Sequence, residues 1–194
     1  MHLLHQHIAR EIELTDSEFE ECLTFFQEIR VPRKTTLIRA HQLVDTQYFV
    51  LSGCLRSYFV DEENDKEYTV QFAIENWWIS DFMAYFSGNQ AQLTVECIED
   101  AQLMAIRKSD LDKLYASLPI VEQFFRRKLE NAFAAFQKRI LGYLHKTAEA
   151  RYDEFLTCYP SIEQRARNYQ IASYLGITPE SLSRIRKMKM KAGR

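Results

Sequence analysis

From Ile120 to about Leu144 the chain runs without a proline, and its single glycine there is Gly142. Within that stretch Val121, Phe125, Leu129, Ala132, Phe136, Ile140 and Tyr143 recur three or four residues apart. That spacing is one face of an α-helix. A helix of ~25 residues is ~37 Å long, more than the core of a chain this size needs. Phe124, Phe133, Ala134, Ala135, Leu141 and Leu144 widen the apolar surface beyond a single stripe. So wide a surface calls for two partners, the body of the same chain and a second copy of the helix. The seven seam residues are therefore the expected dimerisation contacts. Burial inside one monomer is the alternative.

Ahead of this helix the pattern has period two. A capping box, Thr15-Asp16-Ser17-Glu18, predicts a helix over about residues 16–28. Candidate strands follow at Ile29–Val31, Thr36–Arg39, Gln47–Ser52, Leu55–Val60, Tyr68–Ala73, Thr94–Ile98 and Gln102–Arg107. Turn signals separate them, among them Ser52-Gly53, the polar run Asp61 to Asp65, and Ser87-Gly88-Asn89. Short strands with polar turns predict a β-roll over about residues 29–108. A short helix from Ser109 then stops at Leu118-Pro119.

Charge divides the chain where periodicity does. The formal net charge is −2, yet residues 1–119 carry a net −10 and residues 120–194 a net +8. Residues 161–194 alone carry +6, which suits a polyanionic partner. No apolar run approaches the ~20 residues of a membrane span, and the histidine-interrupted start lacks a signal-peptide core. Cys22, Cys54, Cys97 and Cys158 lie far apart, with no metal-ligand spacing. The expectation is a cytoplasmic protein with reduced thiols and no membrane partner.

The basic tail has the pattern of two crossed helices. After a predicted helix over Thr147–Tyr159, ended by Pro160, Asn168–Tyr174 and Thr178–Met188 flank Leu175-Gly176-Ile177. Ala172 is small enough for a close helix crossing, and Gly176 tolerates the positive φ of a tight turn. Leu182 and Ile185 point inward; Thr178 is a good N-cap, and Pro179 at N1 has no N–H to leave unpaired. The second helix then presents Glu180, Ser181, Arg184, Lys187 and Met188 outward. Arg184 suits guanine O6/N7, and Glu180 either accepts from cytosine N4 or holds Arg184. Tyr169, Gln170, Ser173, Thr178, Ser183, Arg186 and Lys189 are placed for phosphate-backbone contacts. Double-stranded DNA with a pseudo-palindromic operator is the expected partner of such a homodimer.

The stretch Tyr169-Gln170-Ile171-Ala172-Ser173-Tyr174-Leu175-Gly176-Ile177-Thr178-Pro179-Glu180-Ser181-Leu182-Ser183-Arg184-Ile185-Arg186-Lys187 resembles the Crp/Fnr family of bacterial regulators, in the branch common in Bacteroidetes. Tyr48 to Gly53, Ile98-Glu99-Asp100, and Ala148 to Leu156 support the resemblance, which covers nearly the whole chain. It implies an α+β architecture: a cyclic-nucleotide-binding-like β-roll (a double-stranded β-helix), a long dimerisation helix and a C-terminal helix-turn-helix. The implied domains are 1–118, 119–145 and 146–194, with RNA polymerase a further candidate partner. Pro179 stands where the family has its first recognition arginine. Ser161–Arg167 is short for a wing hairpin, so a plain helix-turn-helix is expected.

The resemblance also implies where a cyclic nucleotide would sit. The family's Gly-Glu-x-Gly turn falls on Ser80, Asp81 and Met83, and its Arg-Ser/Thr-Ala on Ala91, Gln92 and Leu93. Both glycines and the arginine are missing, and residues 67–106 contain no Lys or Arg. The expectation is a degenerate site that does not hold cAMP or cGMP. Trp78, Asp81, Phe82, Tyr85, Gln92 and Thr94, with Trp77, Phe86, Tyr48, Phe59 and Phe72 around them, are the candidate pocket for an unidentified effector. Core packing is the alternative for the aromatic ones. No cofactor or metal is expected. Two other readings stand beside this one: a cAMP-responsive regulator, and a cupin-like metal enzyme. The latter lacks its ligands, since the lone His-x-His, His5-Gln6-His7, precedes the roll.

Overall fold

Alternating burial along two strands organises the first half of the chain. In the computed structural model, which describes residues 2–192, β3 (Thr46–Ser52) pairs antiparallel with β8 (Ala101–Arg107). Successive side chains on a strand face opposite ways, and here both faces are covered. Tyr48, Val50, Leu103 and Ala105 point into one apolar cluster; Phe49, Met104 and Ile106 point into another. This explains the near-continuous apolar run Tyr48-Phe49-Val50-Leu51.

The first cluster is the interior of the roll. It lies between two four-stranded sheets. One has the order β1 (Gln27–Val31), β8, β3, β6 (Trp78–Ile79); the other runs β2 (Thr36–Ile38), β7 (Thr94–Cys97), β4 (Leu55–Asp61), β5 (Lys66–Ala73). Gly53, at φ 99°, makes the turn between β3 and β4, where a Cβ would lie 2.6 Å from the Asp100 carbonyl oxygen. The second cluster covers the outer face of β3 and β8. It is built from α1 (Leu3–Ile8), α2 (Asp16–Leu23), α4 (Lys108–Ser117) and the first turns of α5 (Pro119–His145). The two-residue strand β6, the helix α1 and α3 (Phe82–Ser87) are too short for sequence periodicity to show. Helix α2 ends at Leu23, earlier than expected, because Gln27 already enters β1.

The second half is helical. Helix α5 is followed by α6 (Ala148–Cys158), the single turn α7 (Ile162–Arg165), α8 (Asn168–Leu175) and α9 (Pro179–Ala192). The segment expected to lack a wing is that single turn. The chain packs as two compact units, Met1–Ser57 with Phe72–Ala134, and Tyr58–Gln71 with Ala135–Arg194, and their boundary falls within α5. Arg194, counted in the tail charge, lies outside the described residues.

Two expected dimer contacts are corrected here. Val121 is fully buried and Phe125 nearly so, both within the second cluster, where Phe125 packs edge-on to Trp78 at 5.0 Å. Their partners are in the same chain. Leu129, Phe133, Phe136, Ile140, Leu141 and Leu144 stay exposed, Leu144 at 77%; Ala132 is exposed as well.

Candidate nucleic-acid interface

Helix α8 ends because Gly176 adopts φ 66°, a left-handed conformation in which its N–H caps the Ser173 and Ala172 carbonyls. Ile177 N–H also returns to the Ala172 carbonyl. Thr178 then caps α9, its Oγ1 accepting the Ser181 N–H at 3.2 Å. Ile171, Ala172, Leu175, Leu182 and Ile185 are buried between the helices, so the turn is held by the residues whose spacing predicted it.

The last carbonyls of α8 are satisfied from outside the helix. Arg151 on α6 donates from Nε and Nη2 to the Leu175 carbonyl at 3.3 and 3.2 Å, and from Nη1 to the Lys146 carbonyl at 2.8 Å. The Tyr143 hydroxyl donates to the Tyr174 carbonyl, and burial raises its pKa. Arg151 lies over the Tyr143 ring at 5.4 Å. Tyr143 is exposed as expected of the seam, and its hydroxyl also grips the helix turn. Sequence reasoning missed Arg151 as a positioning residue, although the sequence showed it near the start of α6.

On the outer surface Glu180, Arg184 and Lys187 are exposed, with Ser181 and Ser183 half-buried. Glu180 does not brace Arg184. Its carboxyl turns to its own N–H and the Thr178 hydroxyl, which hold its pKa below the usual carboxylate range. Tyr169 is also exposed at the start of α8. Arg184 borders a shallow cleft of about 250 Å³ with Thr147, Glu149, Ile177 and Met188.

Four expected backbone contacts point elsewhere. Gln170 is buried, and its Oε1 accepts the Arg167 N–H at 2.9 Å, capping α8. Arg186 is turned inward: its Nε lies 2.7 Å from Glu163 Oε1 and 3.3 Å from the Tyr152 hydroxyl, and Nη1 donates to Asn168 Oδ1. Ser173 Oγ accepts the Thr69 N–H at 2.9 Å and donates to the Glu67 carbonyl at 2.8 Å, tying α8 to β5. Lys189 pairs with Asp153 at 2.5 Å.

The expected effector residues are divided between core and surface. Tyr48, Tyr85 and Phe72 are buried, the first two in the roll interior, while Trp78 lies in the outer cluster against Phe49 and Phe125. Phe82 stacks on Phe86 at 5.9 Å, and Phe86 and Phe59 are exposed. Thr94 Oγ1 accepts the Ala40 N–H, and Gln92 is exposed. Asp81 is completely buried, its Oδ1 accepting the Ala84 N–H at 3.1 Å and its Oδ2 the Gln92 and Leu93 N–H groups at 2.8 and 2.9 Å. Tyr48 and Trp78 fall in different clusters because strand positions face opposite sides, whereas Phe82, Tyr85 and Phe86 lie on different faces of α3.

A two-sheet roll, a long helix and a helix-turn-helix thus follow one another in the chain. Residues 28–117 match the family described as cyclic nucleotide-binding domain. The fumarate and nitrate reduction regulatory protein of Vibrio cholerae is 25% identical over 186 residues, 89% of this chain and 72% of that protein. Two solved structures share the fold. One is CLP of Xanthomonas campestris, a c-di-GMP responsive global regulator (14% identical, TM-score 0.72, 92% of this chain and 93% of that one). The other is FixK2 of Bradyrhizobium japonicum (19% identical, TM-score 0.71, 87% and 86%). Over most of its length the chain is similar to transcription regulators of the Crp/Fnr type.

Proposed function

We propose that this regulator is a homodimer that reads a pseudo-palindromic DNA site with α9. The observation that carries this reading is the capped turn at Gly176, which presents Glu180, Ser181, Arg184 and Lys187 on one outward face. Arg184 reads a base edge; Tyr169, Thr178, Ser183 and Lys187 meet the backbone. The exposed part of the α5 seam, Leu129 to Leu144, joins two copies. Large apolar side chains each contribute about 1.5–3 kcal/mol when fully withdrawn from water. In such a dimer two recognition helices address half-sites about one DNA turn apart.

The roll acts without cAMP in this reading. The arginine and both glycines expected of a cyclic-nucleotide site are absent, and the Gln92 and Leu93 N–H groups are already engaged by Asp81. Binding selection on genomic fragments with the purified full chain tests the proposal. A recurrent inverted repeat, bound equally well with and without cAMP, is the expected outcome. A monomer indifferent to duplex DNA at low salt overturns it.

A further inference from the structure

The hairpin of β4 and β5 packs with the helical half of the chain through Tyr58–Gln71. Ser173 on α8 grips it. Its Oγ accepts the Thr69 N–H at 2.9 Å and donates to the Glu67 carbonyl at 2.8 Å. Strand β5 is the outer strand of its sheet, and an edge strand offers N–H and C=O groups of this kind. A hydroxyl both donates and accepts, so one serine takes the place of a neighbouring strand there. Arg139 on α5 adds a second hold: its Nη1 donates to the Val70 carbonyl, and its guanidinium lies 5.0 Å over the Tyr174 ring of α8. The contact is incompletely satisfied. Thr69 Oγ1 and Arg139 Nε are buried without a hydrogen-bond partner, and each such group costs about 1–3 kcal/mol. The hairpin is held on α8, but at a cost that favours release.

What the hairpin brings to α8 is negative charge. Residues 61–67 hold Asp61, Glu62, Glu63, Asp65 and Glu67 against Lys66, a net −4. The turn is built by its own side chains: Asp61 Oδ1 accepts the Glu63 N–H at 3.0 Å, Asn64 Nδ2 donates to Asp61 Oδ2 at 2.8 Å, and Asp65 takes φ 54°. Glu62, Glu63 and Asp65 stay exposed. Ser173 follows Tyr169 by four residues, so the two share a face of α8 about 6 Å apart along its axis. Tyr169 is the α8 side chain that meets the DNA backbone in the proposed dimer, and the acidic hairpin is anchored one turn from it. We propose that the β4–β5 hairpin is an autoinhibitory arm: docked by Ser173, it sets carboxylates against the approaching phosphates and holds DNA off α8. This inference rests on the reading that the helical half binds DNA, and it names how that site is restrained.

The test uses the full-length chain and a fluorescent duplex of random sequence, with binding read by anisotropy. Glu63→Gln with Asp65→Asn removes two charges and keeps the turn, since asparagine accepts positive φ. At about 20 mM salt this pair should tighten binding about fivefold, and the gain should vanish near about 300 mM, where charges are screened over a few ångströms. Glu13→Gln with Glu20→Gln makes the same change in net charge outside the hairpin and should give no comparable gain. Ser173→Ala should quicken amide exchange at Thr69 and tighten binding as well, and in that background the hairpin pair should add little. Affinity unmoved by the hairpin pair, an equal gain from the control pair, or weaker binding by Ser173→Ala each overturns the proposal. Should Ser173→Ala fail to fold, the hairpin pair and its control decide alone. The two readings fail separately: duplex binding indifferent to the hairpin removes only the arm, whereas binding by none of the chains removes the DNA reading and the arm with it.

Discussion

Arg184 and Arg186 stand two positions apart on α9 and face opposite ways. Arg184 is free to enter a groove, so Arg184→Ala should cost about 1–3 kcal/mol of discrimination at one base position. Competition binding against single-base variants of the selected site checks this; unchanged selectivity removes Arg184 from the reading role. Arg186 holds Glu163, Tyr152 and Asn168 together. Its alanine variant should lower domain stability by about 1–3 kcal/mol and leave the order of site preference intact. His7 is a different case, buried against Phe49 and Phe124 with neither ring nitrogen hydrogen-bonded. Burial first, then the charges of Lys128 and Arg10 against the opposing Glu11, push its pKa from 6.5 down to about 4. The unfolded chain therefore binds the proton that the folded one refuses. Stability due to His7 is complete above pH 6.5 and is lost as pH falls toward 4. His7→Leu should flatten the unfolding midpoint across that window, as measured by calorimetry.

At the level of elements, α5 has two tasks along its length. Its first turns close the outer cluster, and its later residues leave apolar side chains in water. Phe133→Glu should weaken dimerisation at least tenfold, about 1.4 kcal/mol, without unfolding the protomer. Sedimentation equilibrium reads this directly. Val121→Glu, by contrast, places a charge in the core and should unfold the roll unit. The end of α5 and the start of α6 grip the α8 carbonyls through Tyr143 and Arg151. Arg151→Ala should therefore lower operator affinity while the dimer constant stays unchanged. An affinity equal to wild type would show that the grip does not position the turn.

For the molecule as a whole, the proposed DNA binding would draw on the charge separation between the acidic first part and the basic tail. Affinity should fall steeply with salt, and Lys187→Ala should reduce the slope of log K against log[salt] by about 1. The long helix, the turn at Gly176 and the order of roll and helices were legible in the sequence because each rests on local chemistry. Periodicity, a residue that accepts positive φ and an N-cap act within a few residues of chain. The sides that individual residues face were not legible in that way. Val121 and Phe125 share a stripe with Leu129 and Phe136, yet only packing decides that the first two are covered by their own chain. Ser173 and Arg186 have the chemistry of phosphate contacts, but partners distant in sequence turn them inward, and Gln170 is taken up in capping its own helix. Asp81 is the sharpest instance: its buried carboxylate finds its N–H donors only when a turn eleven residues later folds back to meet it. Local propensity set the elements, and long-range contact, which no spacing records, chose what each side chain does.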